Sequence, residues 1–149
     1  MRNLVLSFFT LLFLVSCSID DGMESKTVEL QFTSQTWKLI RMTGSFVGSV
    51  TEGDAMDWQE TYVFNPDGTF LKSRTRQGMI IEASGTFEVV EFANDDQDYL
   101  ELVFLKGTEL AGNCYGNNSE TLVYRSPKEL SSTWQACDGP GLDYVLVEE

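Results

Sequence analysis

Eight short runs rich in Val, Thr, Tyr, Phe and Trp, each closed by turn-forming residues within a few positions, leave this chain little room for anything but sheet. The runs cover residues 36–42, 58–64, 69–76, 83–90, 99–105, 120–125, 129–136 and 142–148. No stretch holds an apolar period near 3.6, so no long helix is predicted. Asn65-Pro66-Asp67-Gly68 is a turn with a mechanism: Pro presets the first corner and Gly is free to take a positive φ. Asn94 to Asp98 forms a second hairpin tip. Short connections make successive strands antiparallel neighbours, and an eight-stranded antiparallel up-and-down barrel leaves no sheet edge exposed. A sandwich of two sheets is the alternative. The connection over residues 43–57, with Gly44-Ser45-Phe46-Val47-Gly48-Ser49, is long enough to act as a lid.

The first residues do not belong to that domain. Arg2 precedes an apolar run from Leu4 to Val15, about a dozen residues, where a spanning helix needs roughly 20. The run ends in Leu14-Val15-Ser16-Cys17, which resembles the lipobox of bacterial lipoproteins. That resemblance implies removal of residues 1–16 and acylation of Cys17, so that lipid chains hold the protein on a membrane without a spanning helix. Residues 17–33 then read as the lipidated cysteine and a polar tether, and 34–149 as one domain. Asp20 and Asp21, shortly after the cysteine, resemble the signal for transfer to the outer face of the outer membrane.

Setting Cys17 aside leaves Cys114 and Cys137, an even pair in a chain read as exported, and a disulfide is the economical expectation. The rival, a metal or redox pair, would need partners that the chain does not supply: it has no histidine and no closely spaced CxxC. The net charge of −13 excludes nucleic acid as a ligand, since phosphate binding demands the opposite sign. It allows a cationic protein partner, or simply a well-solvated surface. Without histidine there is no Ser-His or Cys-His nucleophile, and no Gly-rich phosphate loop is present, so catalysis is not expected and no cofactor is implied. The acidic tip at 94–98 has oxygen ligands for calcium but lacks the glycine and distal glutamate of a known loop, and reads as a solvated turn.

The stretch FLKSRTR carries more. Alternation puts Phe70, Lys72, Arg74 and Arg76 on one face of a strand. If the Pro66-Asp67-Gly68 turn pairs Phe64 with Phe70, Tyr62 falls opposite Lys72, Glu60 opposite Arg74, and Trp58 opposite Arg76. That face is aromatic and basic together. Turned inward, it would line a cavity with Trp58, Tyr62, Phe64, Phe70 and Lys72, with Arg74 and Arg76 near the mouth, suited to an amphipathic anion. Turned outward, it is a ladder with a surface Glu60–Arg74 pair worth less than about 1 kcal/mol. Pleating does not choose between the two. Trp37, Phe87, Phe104, Tyr124, Trp134 and Tyr144 are expected as core.

Three segments in order, TWKLIRMTGS, ETYVFNPDGTF and ACDGPGLDYVLVE, make the region from Gln35 to the C-terminus similar to the small lipocalin-like lipoproteins of Bacteroidetes. Trp37 matches the first-strand Trp of lipocalins, while Gln35 stands where their signature has Gly. The resemblance implies a lipocalin-like barrel behind a lipid anchor, carrying or sensing a small apolar or amphipathic molecule. The alternative function is a protein-binding surface lipoprotein, an inhibitor or accessory subunit, with the barrel as scaffold.

Overall fold

The computed structural model describes residues 33–46, 48–93 and 95–148. The lipidation reading at Cys17, the segment 1–16 and nearly all of the tether lie outside those residues.

The chain folds into a closed antiparallel barrel of eight strands with one short extra strand. The strands are β1 (Gln35–Thr43), β2 (Val50–Glu52), β3 (Gln59–Phe64), β4 (Thr69–Arg76), β5 (Met79–Glu91), β6 (Asp98–Lys106), β7 (Ser119–Ser126), β8 (Glu129–Ser132) and β9 (Gly141–Leu146). From β3 to β9 each strand pairs with the next, and β1 closes the barrel by pairing with both β3 and β9. β2 takes up the part of β1 beyond β3, pairing Thr43 with Val50. The connection expected as a lid is therefore partly pinned: it holds β2 and a helical turn, Gly53–Ala55, and buries Met56.

The Asn65–Gly68 turn sets the register that the sequence predicts. Phe64 pairs with Phe70, Tyr62 with Lys72 and Glu60 with Arg74. Asp67 fastens the turn by accepting from the Thr69 amide and hydroxyl, which lowers its pKa below the ordinary carboxylate value. The next hairpin differs from expectation. β5 begins at Met79, four residues before the predicted start at 83, because Gln77 and Gly78 both take positive φ (52° and 79°) and close a two-residue turn. Positive φ is uncommon outside Gly, so Gln77 hid the hairpin. The strand predicted over 129–136 stops at Ser132, and Trp134–Cys137 forms a helical turn.

Alternation along the strands fills the lumen. Leu39, Phe64, Phe70, Leu100, Leu102, Phe104, Leu122 and Leu130 are buried, each worth roughly 1.5–3 kcal/mol relative to exposure. Rings pack edge-on, Phe64 to Phe87 at 4.8 Å and Phe70 to Phe104 at 4.9 Å. Trp37, Phe87, Phe104 and Tyr144 are buried as expected, while Tyr124 and Trp134 are only partly so.

An up-and-down barrel sorts its connections to two ends. One end, here the mouth, carries the β1–β3 connection, the β4–β5 turn, the β6–β7 connection with its helical turn Thr108–Leu110, and the β8–β9 connection. The far end carries the turns after β3, β5 and β7, together with the start of β1. Cys114 and Cys137 are disulfide-bonded, tying the β6–β7 connection to the helical turn after β8. Trp134 is wedged between Gly112 and Gly139, where a Cβ would come within 2.7 and 2.4 Å of its ring, so both positions need glycine.

Candidate functional site

The face carrying Phe70, Lys72 and Arg74 turns inward. Lys72 is fully buried, and so are the side chains of Glu60 and Glu120. The outward ladder with a surface Glu60–Arg74 pair is thereby overturned: closure of the barrel puts the pair inside, with the Arg74 side chain 12% exposed and that of Glu60 not at all.

Inside the barrel, beneath the β6–β7 connection, these groups form a layer of charge in which each finds partners. The Lys72 ammonium donates to Glu120 Oε2 and to the Leu110 carbonyl, each at 2.9 Å, and lies 3.2 Å from Glu60 Oε1. Glu120 also accepts from the Tyr62 hydroxyl (2.9 Å) and the Gly112 amide (3.1 Å). Glu60 accepts from the Tyr144 hydroxyl (2.6 Å) and from Arg74 Nε. Burial, with the carboxylates nearby, raises the pKa of Tyr62 and Tyr144 well above the ordinary tyrosine value of 10.0. The Lys72 ammonium also lies 4.8 Å from the Tyr62 ring centre.

This layer corrects the cavity reading in one respect. Tyr62, Phe64, Phe70 and Lys72 do face inward, but they are packed, and the polar ends of Tyr62 and Lys72 are committed to protein partners. They form a floor and do not line an open pocket. Glu120, in a strand expected only as scaffold, is the counter-ion that the sequence reading missed. A signal existed: Glu60 and Glu120 stand in phase with the inward stripes Tyr62-x-Phe64 and Leu122-x-Tyr124, and Lys72 stands in phase with Phe70.

Above the floor, toward the mouth, the chemistry changes. Trp58 sits just before β3 and not in it, so it has no ladder partner, yet Arg74 stacks on its ring at 4.4 Å and Arg76 lies 5.8 Å away. Arg74 spends Nε on Glu60, but its Nη2 is buried with no hydrogen-bond partner among the described residues. Trp58 Nε1 is in the same position. Beside them on the same face, Ile81 is the cross-strand neighbour of Arg74 and Met79 that of Arg76, and both are exposed. The mouth thus combines two buried donors without acceptors, a second guanidinium, and an apolar rim.

A second hollow, about 440 Å³, lies outside the barrel beside the disulfide connection, bordered by Phe92, Tyr99, Tyr115 and Thr121. Its polar neighbours are engaged locally: Asp95 accepts from the Tyr99 hydroxyl, and Asn113 accepts from the Tyr115 and Gly116 amides. Among the described residues no cluster of His, Cys, Asp and Glu is arranged to hold a metal ion.

The fold is that of a closed barrel compatible with ligand binding. No protein-family model matches the chain, and neither a curated protein nor a solved structure matches it.

Proposed function

We propose that this is a lipid-anchored, lipocalin-like binding protein that receives the anionic head of a small amphipathic molecule at the barrel mouth. The observation that carries the reading is the pair of buried, acceptor-less donors, Trp58 Nε1 and Arg74 Nη2, on groups stacked 4.4 Å apart. A buried donor left unpaired costs about 1–3 kcal/mol, and a ligand carboxylate or sulfate recovers that by charge-assisted hydrogen bonds. Arg76 adds charge, and Ile81 and Met79 offer the apolar part of the ligand a place to lie. The floor of Lys72, Glu60 and Glu120 limits the ligand to the mouth. No catalytic step is assigned.

Titration of myristate, followed by tryptophan fluorescence, tests this. Trp58→Phe removes one donor and takes no partner from any other group, so affinity should fall about tenfold, equivalent to about 1.4 kcal/mol, and more for Trp58→Phe with Arg76→Gln. Myristol, lacking the charge, should be little affected by either change. Equal binding of myristate by wild type and double variant would remove the mouth as the site.

The filled lumen favours the second reading, a protein-binding lipoprotein whose acidic shell engages a cationic partner. Absence of any small-molecule binding, with salt-sensitive capture of a basic protein, would put that reading first.

The anchor is proposed at Cys17, on the outer membrane. Metabolic labelling with a fatty acid should mark the wild type and leave Cys17→Ala unlabelled.

A further inference from the structure

The two ends of the barrel differ in what they show to solvent. Among the described residues, six large apolar side chains are more than half exposed; Tyr115 stands over the outer-wall hollow that Phe92 and Tyr99 also border, and the other five, Phe46, Val50, Met79, Ile80 and Leu105, lie at the mouth end, with exposure from 51% at Val50 to 73% at Phe46. At the far end the most exposed is Phe92, at 46%. Phe46, Ile80 and Leu105 belong to three separate segments, the β1–β2 loop, the start of β5 and the end of β6, so they are spread along the rim and do not form one continuous patch.

We propose that the mouth end docks on the surface of a zwitterionic lipid bilayer, with these tips entering the headgroup region. A crown of separated apolar tips suits a soft surface that each can enter independently, whereas a protein partner would need a matching pocket for every one. Phe and Leu are side chains favoured on the apolar face of segments that lie at the boundary between headgroups and hydrocarbon. The acidic chain, at net −13, is repelled by anionic lipid, which selects a neutral surface. The chain beyond the barrel permits the approach. Ser34 lies at the far end, where its hydroxyl donates to Asn65, and residues 17–33 can span at most about 60 Å. The nine residues of β1 run about 30 Å. A chain held to a membrane at Cys17 can therefore turn its mouth to that same membrane. The proposal does not depend on the mouth holding a ligand.

Hydrogen exchange of the full chain on dioleoylphosphatidylcholine vesicles, compared with the chain free of lipid, tests it. Amides at residues 44–46, 77–81 and 105–107 should slow by about fivefold or more, while those at 65–68, 95–97 and 127–128 stay unchanged. The triple variant Phe46→Ser, Ile80→Ser, Leu105→Ser should lose the slowing, and Phe46→Leu, Ile80→Leu, Leu105→Phe should keep it. Slowing at the far end alone, at both ends equally, or only when membrane proteins are present would overturn lipid docking; the last would mark a protein interface.

Discussion

The floor of the lumen and its mouth each set a buried cation beside an aromatic ring, Lys72 with Tyr62 and Arg74 with Trp58, and end in opposite states. In the floor, Lys72, Glu60 and Glu120 sit out of water, with two tyrosine hydroxyls, a backbone carbonyl and a backbone amide completing their bonds. At the mouth, Arg74 is bonded on one side only and Trp58 not at all. Burial of polarity alone therefore does not mark a functional site. Completion of the hydrogen-bond set separates the part that holds the fold from the part proposed above to receive a ligand.

The largest effect expected from this contrast is on stability. Lys72→Met leaves the buried Glu120 carboxylate without a cation and Glu60 with Arg74 alone, and should cost about 3–5 kcal/mol, read as a shift in the urea midpoint. Adding Glu120→Gln should restore part of that loss. Trp58→Phe, which deletes a donor that nothing accepts, should cost no more than about 1 kcal/mol without ligand. Equal costs for Lys72→Met and Trp58→Phe would erase the distinction between floor and mouth.

A smaller effect is expected from the disulfide, which belongs to the mouth alone. Replacing Cys114 and Cys137 by Ser opens a crosslink between positions 23 apart and should cost about 3 kcal/mol by the chain-entropy argument. Amide exchange should quicken at residues 107–118 and 133–140, while the Asn65–Gly68 turn keeps its protection. Acceleration spread evenly over both ends would show that the barrel behaves as one unit.

The smallest effect near neutral pH, nil by expectation, becomes visible in alkali. Burial raises the pKa of Tyr62 and Tyr144, so the neutral phenols of the floor contribute stability that is fully present below pH 10, the ordinary tyrosine value, and lost as pH rises beyond it. Partly buried Tyr124 is pushed up to about 12, first by burial and then by Asp98. Phenolate absorbance should show Tyr62 and Tyr144 ionising only as the protein unfolds. Ionisation of either in the folded state near pH 10 would mean that the floor is open to water.

Local signals carried a large share of this architecture. The Asn65–Gly68 turn names its own geometry and fixes three cross-strand pairs, Phe64–Phe70, Tyr62–Lys72 and Glu60–Arg74. The pairing of Cys114 with Cys137 followed from an even count. The direction of the Lys72 face was illegible, because a strand of period two has two equivalent sides and only closure of the barrel, through partners far away in sequence, selects one. Glu120 is 48 residues from Lys72, and Tyr144 is 84 from Glu60. The Gln77-Gly78 turn escaped because a glutamine held at positive φ carries no turn signature, and β2 escaped because three residues are too few to pattern.

Those separations bear on the order in which the chain can become a barrel. Glu60 is the first buried charged group of the described residues to emerge, and one of its donors, Tyr144, stands in the last strand. Lys72 likewise waits for Glu120 and for the Leu110 carbonyl. A chain that appears N-terminus first therefore cannot dry its own interior as it grows, since the early strands would bring ions into an apolar space before their counterparts exist. Desolvation must come late and together, when β7 and β9 arrive, so the half-made barrel stays wet and open, and the polar layer makes closure a single event of the whole chain.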